Sequence, residues 1–234
     1  MSLPFLQPYL GLSNSLQTTA SGGAGWTFED NFDGADNWTD IGTGTGVNVS
    51  TDKMDINWNA GSNNASAISI GTVNNTAFVF RMIALRASAQ TNDSNINIPI
   101  GFAYLSANNQ STAWSGSDDR LGMSMQWGSI ARLYSQEAND ATSRTTQGVS
   151  YTWALSTDYY FETIRLSATS AKTIKYTTSS FTTEESSGTQ TIPSTITGLQ
   201  YIKIQSLDTE GGGGGVITCT LSGVKFANGV TVAP

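Results

Sequence analysis

Residues 217–222, with the sequence ITCTLS, alternate strictly between apolar and hydroxyl-bearing or small polar side chains. The same two-residue period recurs in most of the apolar stretches of the chain, and no helical 3.6-residue pattern of useful length is present. Because successive side chains of a β-strand point to opposite faces, this period puts one face in a core and the other in water. We therefore predict that the fold is all-β.

Most apolar segments have the length of single strands. The segment 77–87 (AFVFRMIALRA) is apolar on both phases, which predicts a central strand covered on both faces. Gly223 interrupts the closing run, and a bulge there would return Val224 and Phe226 to the core. Segments 159–167 and 172–176 read as a hairpin. The remaining predicted strands are 47–56, 65–70, 98–105, 121–127, 130–134 and 199–207.

The composition restricts the partners that the chain can have. Only 12% of the 234 residues are charged and about a quarter are Ser or Thr, so hydroxyl and amide groups must cover the surface. Such a surface is typical of extracellular or particle-borne β proteins. The net charge of -7 and the scattered Lys and Arg argue against nucleic acid as a partner, since phosphate binding needs clustered cations. No apolar run is long enough to span a bilayer.

The first 25 residues differ in composition from the remainder. A short apolar segment leads into QTTASGGAG, which is typical of a flexible linker. We predict a docking arm over residues 1–25 and one β-sandwich domain over 26–234, with a loosely packed terminus as the open alternative for the arm. The segment has no basic residue and carries two prolines, so it is a poor signal peptide. The apolar side chains that would dock are Leu3, Phe5, Leu6, Tyr9, Leu10 and Leu12.

Three stretches carry a likeness to a known family. They are FEDNFD at residues 28–33 followed by Asn37-Trp38, the paired segment 160–176, and the closing segment 215–229, in which a glycine precedes an alternating run and then Val-x-Phe. Their order resembles the concanavalin A-like lectin/glucanase superfamily, especially its laminin-G-like members. The resemblance implies an antiparallel two-sheet jelly-roll sandwich. It also implies glycan binding or adhesion in many members, hydrolysis in some and pure structure in others.

Catalytic chemistry has little support in the sequence. The chain has no histidine, which excludes Ser-His-Asp and Cys-His catalysis. The Glu-x-Asp-x-(x)-Glu strand of the family's hydrolases is missing, and the acidic pairs present are adjacent residues. Glu162 shares a strand phase with apolar residues, and we expect it to form an ion pair with an arginine. Cys219 is predicted to be a buried thiol, and no enzyme activity is expected.

The polar loop 106–120 is the best candidate for a glycan site. A pyranose has one apolar face and a polar rim, so it is bound by an exposed aromatic ring together with amide and carboxylate groups. Trp114 would supply the ring, although it could instead cap the sandwich, while Trp38 and Trp127 are expected in the core. The polar groups would come from Asn108, Asn109, Asp118 and Asp119.

Calcium is the one cofactor that the resemblance suggests. Laminin-G-like domains often hold a calcium ion, and carboxylate oxygens suit it. No defined calcium motif is present here, so we primarily expect that the protein has no metal and no other cofactor. If calcium did bind, Asp118 and Asp119 would be its ligands.

These observations favour a non-enzymatic virion component, such as a capsid decoration or fibre protein. The arm would contact other virion proteins, and the jelly roll would be displayed on the virion surface as a homo-oligomer, where it could bind surface glycans. The alternative is a secreted or cell-surface carbohydrate-binding module, located outside the cell. An endoglycanase is a third hypothesis.

Overall fold

The computed structural model describes residues 25–34, 36–41, 47–59, 65–91, 100–107, 119–126, 130–136, 151–207 and 215–234. These residues form sixteen strands and no helix, in two antiparallel sheets. The prediction of an all-β, antiparallel two-sheet sandwich is confirmed. The predicted arm over residues 1–25 falls almost wholly outside the described residues, which begin at Gly25.

One sheet has nine strands. They are β1 (Phe28–Asp30), β3 (Val47–Ser50), β4 (Lys53–Asn59), β6 (Phe78–Thr91), β11 (Asp158–Ser167), β12 (Ser170–Tyr176), β13 (Glu184–Thr191), β15 (Val216–Leu221) and β16 (Gly223–Asn228). The order across the sheet is β13-β12-β11-β6-β15-β4-β3, and β16 pairs with both β6 and β1.

The other sheet has seven strands. They are β2 (Thr39–Ile41), β5 (Ala65–Ser69), β7 (Ile100–Ser106), β8 (Arg120–Gln126), β9 (Ile130–Gln136), β10 (Tyr151–Thr152) and β14 (Tyr201–Leu207). The order across the sheet is β10-β9-β8-β7-β14-β5-β2.

The two sheets face each other across the main hydrophobic core. The nine-stranded sheet contributes side chains such as Phe80 and Ile217, and the seven-stranded sheet contributes Leu105, Leu121 and Ile202, all of them buried. These residues occupy alternate positions of their strands, as the two-residue sequence period predicts. The predicted burial of Trp38 and Cys219 is confirmed, and burial raises the pKa of the Cys219 thiol.

A second, smaller apolar cluster lies on the face of the nine-stranded sheet that points away from the main core. Its buried members are Val79, Ile164, Ile174, Tyr176 and Ala227. Strand β6 therefore has apolar packing on both faces, with Phe78, Phe80 and Met82 in the main core and Val79 in the outer cluster. This confirms the prediction of a central strand covered on both sides.

The prediction of a single strand over residues 47–56 is wrong. The structure has a hairpin there, in which β3 and β4 pair with Val49 opposite Met54. The turn lies at Thr51 and Asp52, and Asp52 has a φ of 63°. Aspartate tolerates this left-handed conformation better than most residues. The apolar alternation continues through the turn, which conceals the reversal of chain direction.

The interruption predicted at Gly223 is present, but its form differs from a simple bulge. Val224 and Phe226 are buried in the core, as predicted. The opposite strand β6 breaks its own alternation at the same level, where Ala84 has a φ of 49°. Thr220 of β15 pairs with Arg86, and Gly223 of β16 pairs with Ile83. Both sides therefore advance by three residues between these pairs, and the register with β6 is kept across the interruption.

Candidate functional site

The base of the 106–120 loop is firmly held at the ends of the paired strands β7 and β8. Strands β7 and β8 pair up to Ser106 and Arg120, and the amide of Ala107 donates to the carbonyl of Asp119 at 3.0 Å. The side-chain amide of Gln200 also donates to the carbonyl of Ala107 at 2.8 Å. Both ends of the loop are therefore tied to each other and to the segment that precedes β14.

Asp119 and Arg165 together grip one peptide group beside the loop. The amide of Thr197 donates to Asp119 Oδ2 at 2.7 Å, and Arg165 Nη1 donates to the carbonyl of Ile196 at 2.8 Å. These are the N–H and the C=O of the same peptide unit. Asp119 is 7% exposed and Arg165 is fully buried. The pair fixes the connection between β13 and β14 against the start of β8, and we call it the Asp119–Arg165 clamp.

The electrostatics of the clamp follow from its burial. Burial lowers the pKa of the Arg165 guanidinium, and the nearby Asp119 carboxylate acts in the opposite direction by favouring the charged form. Arg165 also donates from Nη2 to the carbonyl of Ala168 at 3.0 Å and from Nε to the carbonyl of Ser167 at 3.2 Å. Three backbone carbonyls and a nearby carboxylate thus compensate for the removal of this cation from water.

Most of the predicted site residues belong to segments that the structure does not describe. Asn108, Asn109, Trp114 and Asp118 lie outside the described residues, as do the docking residues Leu3 to Leu12. Asp119 is the exception, and it lies at the base of the loop with one carboxylate oxygen already bound by a backbone amide. Trp127 and the side chain of Trp58 also fall outside the described part of the chain, whereas Trp153 is buried in the core.

A polar layer that the sequence prediction missed begins directly after the clamp. It occupies the face of the seven-stranded sheet opposite the core, where Lys203, Tyr104 and Gly122 are neighbours across β14, β7 and β8. Tyr104 donates a short hydrogen bond to Gln205, and the Arg120 guanidinium lies 5.4 Å from the centre of the Tyr104 ring. The four side chains of this layer, Tyr104, Arg120, Lys203 and Gln205, are all at most 2% exposed.

Only two carboxylates among the described residues are buried, and both have protein partners. Glu162 binds Arg81 Nε at 2.5 Å and accepts a hydrogen bond from Tyr176 at 2.9 Å, which confirms its predicted ion pair with an arginine. The other is Asp119, in the clamp. They lie in different parts of the sandwich and do not form the facing pair that glycoside hydrolysis needs.

The described residues contain no group of three His, Cys, Asp or Glu side chains arranged to hold a metal ion. Within the described ranges no helix is long and apolar enough to cross a membrane. The suggestion of calcium at Asp118 and Asp119 stays a prediction.

No protein-family model and no curated protein sequence matches this chain, but solved structures do. Arcelin-5, a lectin-like defence protein from Phaseolus vulgaris, superposes with a TM-score of 0.53 at 12% identity, over 85% of this chain and 96% of its own. A mutant of the Emp46p carbohydrate recognition domain gives a TM-score of 0.53 at 8% identity, covering 86% and 95% of the two chains. The chain has the concanavalin A-like fold.

A third similar structure has no assigned function. It is a protein of unknown function from Shewanella oneidensis MR-1, with a TM-score of 0.52 at 15% identity over 83% of this chain and 79% of its own. At these identities the likeness establishes the fold, and the function has to be argued from the chain's own residues.

Proposed function

We propose that this chain is a non-enzymatic, lectin-like domain that binds carbohydrate through the 106–120 loop and is displayed on a virus particle. The observation that carries the binding part is the Asp119–Arg165 clamp, which holds the base of this loop on a rigid frame. Loops on a rigid scaffold are common binding elements, because the frame removes much of the entropy cost of ordering the site. The lectin-like and carbohydrate-recognition descriptions of two structural neighbours favour the same function.

In this proposal the loop residues divide the work. Trp114 stacks on the apolar face of a sugar ring, and Asn108, Asn109 and Asp118 supply hydrogen bonds to its hydroxyl groups. Asp119 contributes through its position, because its Oδ2 already accepts the Thr197 amide. The absence of histidine from the sequence and the protein partners of both described buried carboxylates support a binding role without catalysis.

A glycan array tests the binding part directly. The wild-type protein should retain a defined set of glycans, and Trp114→Ala should lose at least tenfold in affinity for them while keeping its melting temperature. Leu155→Ala is a matched control, because Leu155 is an exposed apolar residue in the connection between β10 and β11, outside the 106–120 segment. Equal glycan binding by both variants would exclude Trp114 as the stacking residue. Turnover of a β-glucan by the purified protein would contradict the non-enzymatic proposal.

The virion part of the proposal rests on residues 1–25 and on the surface composition. An apolar segment followed by a Gly- and Ser-rich linker suits an arm that inserts into neighbouring virion proteins while the sandwich remains displayed, and a displayed protein of this kind commonly forms a homo-oligomer. Deleting residues 1–20 should abolish incorporation into particles without changing the melting temperature. Unchanged incorporation would remove the docking role of this segment, whereas a full-length protein that is not found in particles would favour the alternative, a secreted or cell-surface carbohydrate-binding module.

A further inference from the structure

The outer face of the nine-stranded sheet, meaning the side chains that point away from the main core, has an unusual charge distribution. Among the residues that the structure describes, it carries five cations and five acids, and each of them is in an ion pair. The pairs are Lys53 with Asp55 (2.8 Å), Arg81 with Glu162 (2.5 Å), Arg86 with Asp158 (3.5 Å), Lys172 with Glu184 (3.6 Å) and Lys225 with Glu29 (2.5 Å).

This balance separates the outer face from the remainder of the molecule. The chain has 11 Lys and Arg against 18 Asp and Glu, and five of each sign lie here. The described residues of the outer face are therefore neutral in sum, and the other residues of the chain carry the whole net charge of -7. Two copies of an acidic protein repel each other unless they meet through surfaces without net charge. The outer face meets this condition.

The same face also carries apolar surface. Trp26, Tyr160, Phe181, Val230 and Ala233 are partly buried around the outer apolar cluster. The described residues include three exposed large hydrophobic side chains, and two of them belong to this region: Leu166, which is 39% exposed, and Val232, which is 76% exposed. Leu166 shares the outward phase of β11 with Ile164, and Val232 lies in the C-terminal segment that packs on the cluster.

Aromatic side chains and ion pairs hold this surface in one arrangement. The Arg81 guanidinium lies between two rings, 5.1 Å from the centre of Trp26 and 4.0 Å from that of Phe181. Phe181 also packs edge-on against Tyr176 at 5.2 Å and Tyr160 at 5.8 Å. A surface whose side chains are already ordered loses little further entropy when it is covered.

We propose that the outer face of the nine-stranded sheet is the contact through which two copies of this chain associate. A two-fold contact brings a surface against itself, so local neutrality and an apolar centre are the properties that it needs. The sheet is large enough, because its nine strands, of three to fourteen residues each, cover ~1,000 Å² at ~3.3 Å per residue along a strand and ~4.8 Å between strands. Each partner of a standard interface buries ~800 Å², which is less than this area. The proposal names the surface for the homo-oligomer included in the proposed function and does not depend on glycan binding.

Sedimentation velocity over about 1–300 μM protein tests the proposal on the full chain. The wild-type protein should shift from monomer to dimer over this range. Leu166→Glu should raise the dimer dissociation constant at least tenfold, because it puts an unpaired acid on each copy of the face. Leu155→Glu is the matched control, since Leu155 is similarly exposed (43%) but lies in the connection between β10 and β11. This control should change the dissociation constant by less than twofold.

A charge swap gives a second, independent test on exposed residues. Arg86→Glu puts a second acid beside Asp158, so it should weaken the dimer at low salt. Screening by 1 M NaCl should restore part of the lost dimer affinity. Adding Asp158→Arg restores the ion pair with its signs reversed and should restore the dimer. Both changes lie at side chains that are almost half exposed, so the fold should tolerate them.

The outcomes distinguish this surface from other modes of association. A wild-type protein that stays monomeric throughout overturns both the surface and the proposed homo-oligomer. An oligomer equally stable in Leu166→Glu, Arg86→Glu and Leu155→Glu overturns the surface and keeps the homo-oligomer. Loss of association after deletion of residues 1–24 alone would assign the contact to the arm and also overturn the proposal. Glycan binding and particle incorporation, measured separately, are unaffected by any of these results.

Discussion

Replacing Asp119 by alanine removes one half of the clamp at the base of the 106–120 loop. The Thr197 amide loses the acceptor that it reaches at 2.7 Å, and the buried Arg165 loses its nearby acid. A hydrogen bond to a charged group contributes ~1.5–3 kcal/mol, and a buried cation that loses a nearby acid adds to that loss. Because Thr197 itself is exposed, water can replace part of the lost bond. We expect the free energy of unfolding to fall by ~2–4 kcal/mol.

Thermal unfolding followed by circular dichroism measures this loss. For a chain of this length a loss of 1 kcal/mol lowers the melting temperature by ~2–4 °C, so Asp119→Ala should melt ~5–12 °C below wild type. Asp119→Asn keeps an oxygen acceptor for the Thr197 amide and should show about half of that decrease. Asp40→Ala is the control, because Asp40 lies exposed on the short strand β2 and should change the melting temperature by less than ~1 °C. If Asp119→Ala and Asp119→Asn both melt within 1 °C of wild type, as the control does, the clamp is refuted.

Three further changes test other parts of the structure. Gly223→Ala places a Cβ 3.0 Å from the carbonyl oxygen of Asp30 and should destabilise the fold by ~1–3 kcal/mol in urea titrations, whereas Gly34→Ala, which has open space, should be neutral. Burial raises the pKa of Tyr151 from 10.0 to about 12, so the native state holds this proton more tightly than the unfolded state. Its contribution to stability is complete below pH 10 and is lost as the pH rises to about 12, and Tyr151→Phe should flatten the alkaline fall in melting temperature. Glu162→Ala leaves Arg81 without its acid and should cost ~2–4 kcal/mol, while the double variant Arg81→Leu, Glu162→Leu should recover most of it; a double variant no more stable than the single one would contradict this reasoning.

Hydrophobic alternation predicted the strands that face the main core but missed an edge strand. Segments such as 121–127 and 199–207 correspond closely to β8 and β14, because their apolar residues fill one face of a sheet. Strand β13 has the sequence EESSGTQT and contributes almost nothing to the core, so its hydrogen-bonded pairing with β12 leaves no hydrophobic period to detect. Turn chemistry was also missed at Asp52, where alternation continues through a reversal of the chain.

The candidate site shows a different limit of sequence reasoning. Asp119 was predicted from its place in a polar loop, but its role in the clamp depends on Arg165 and on a peptide far along the chain. No local pattern contains that information, because the partners meet only in the folded sheets. The polar layer around Tyr104 and Lys203 had a weak signal, namely the polar phase of strands whose other phase is apolar. Solvent-facing residues give the same signal, so the period alone could not show that this layer is buried.

The pairing of β1 with β16 has a consequence for biosynthesis. Phe28, at the start of the domain, pairs with Phe226 near the end of the chain, and β16 is the only described partner of β1. A ribosome must therefore synthesise the chain as far as β16 before the first strand can join its sheet. Until then Phe28 and the adjoining Trp26 lack their packing partners, which exposes the nascent chain to aggregation and makes closure of the sandwich a late, slow step of folding.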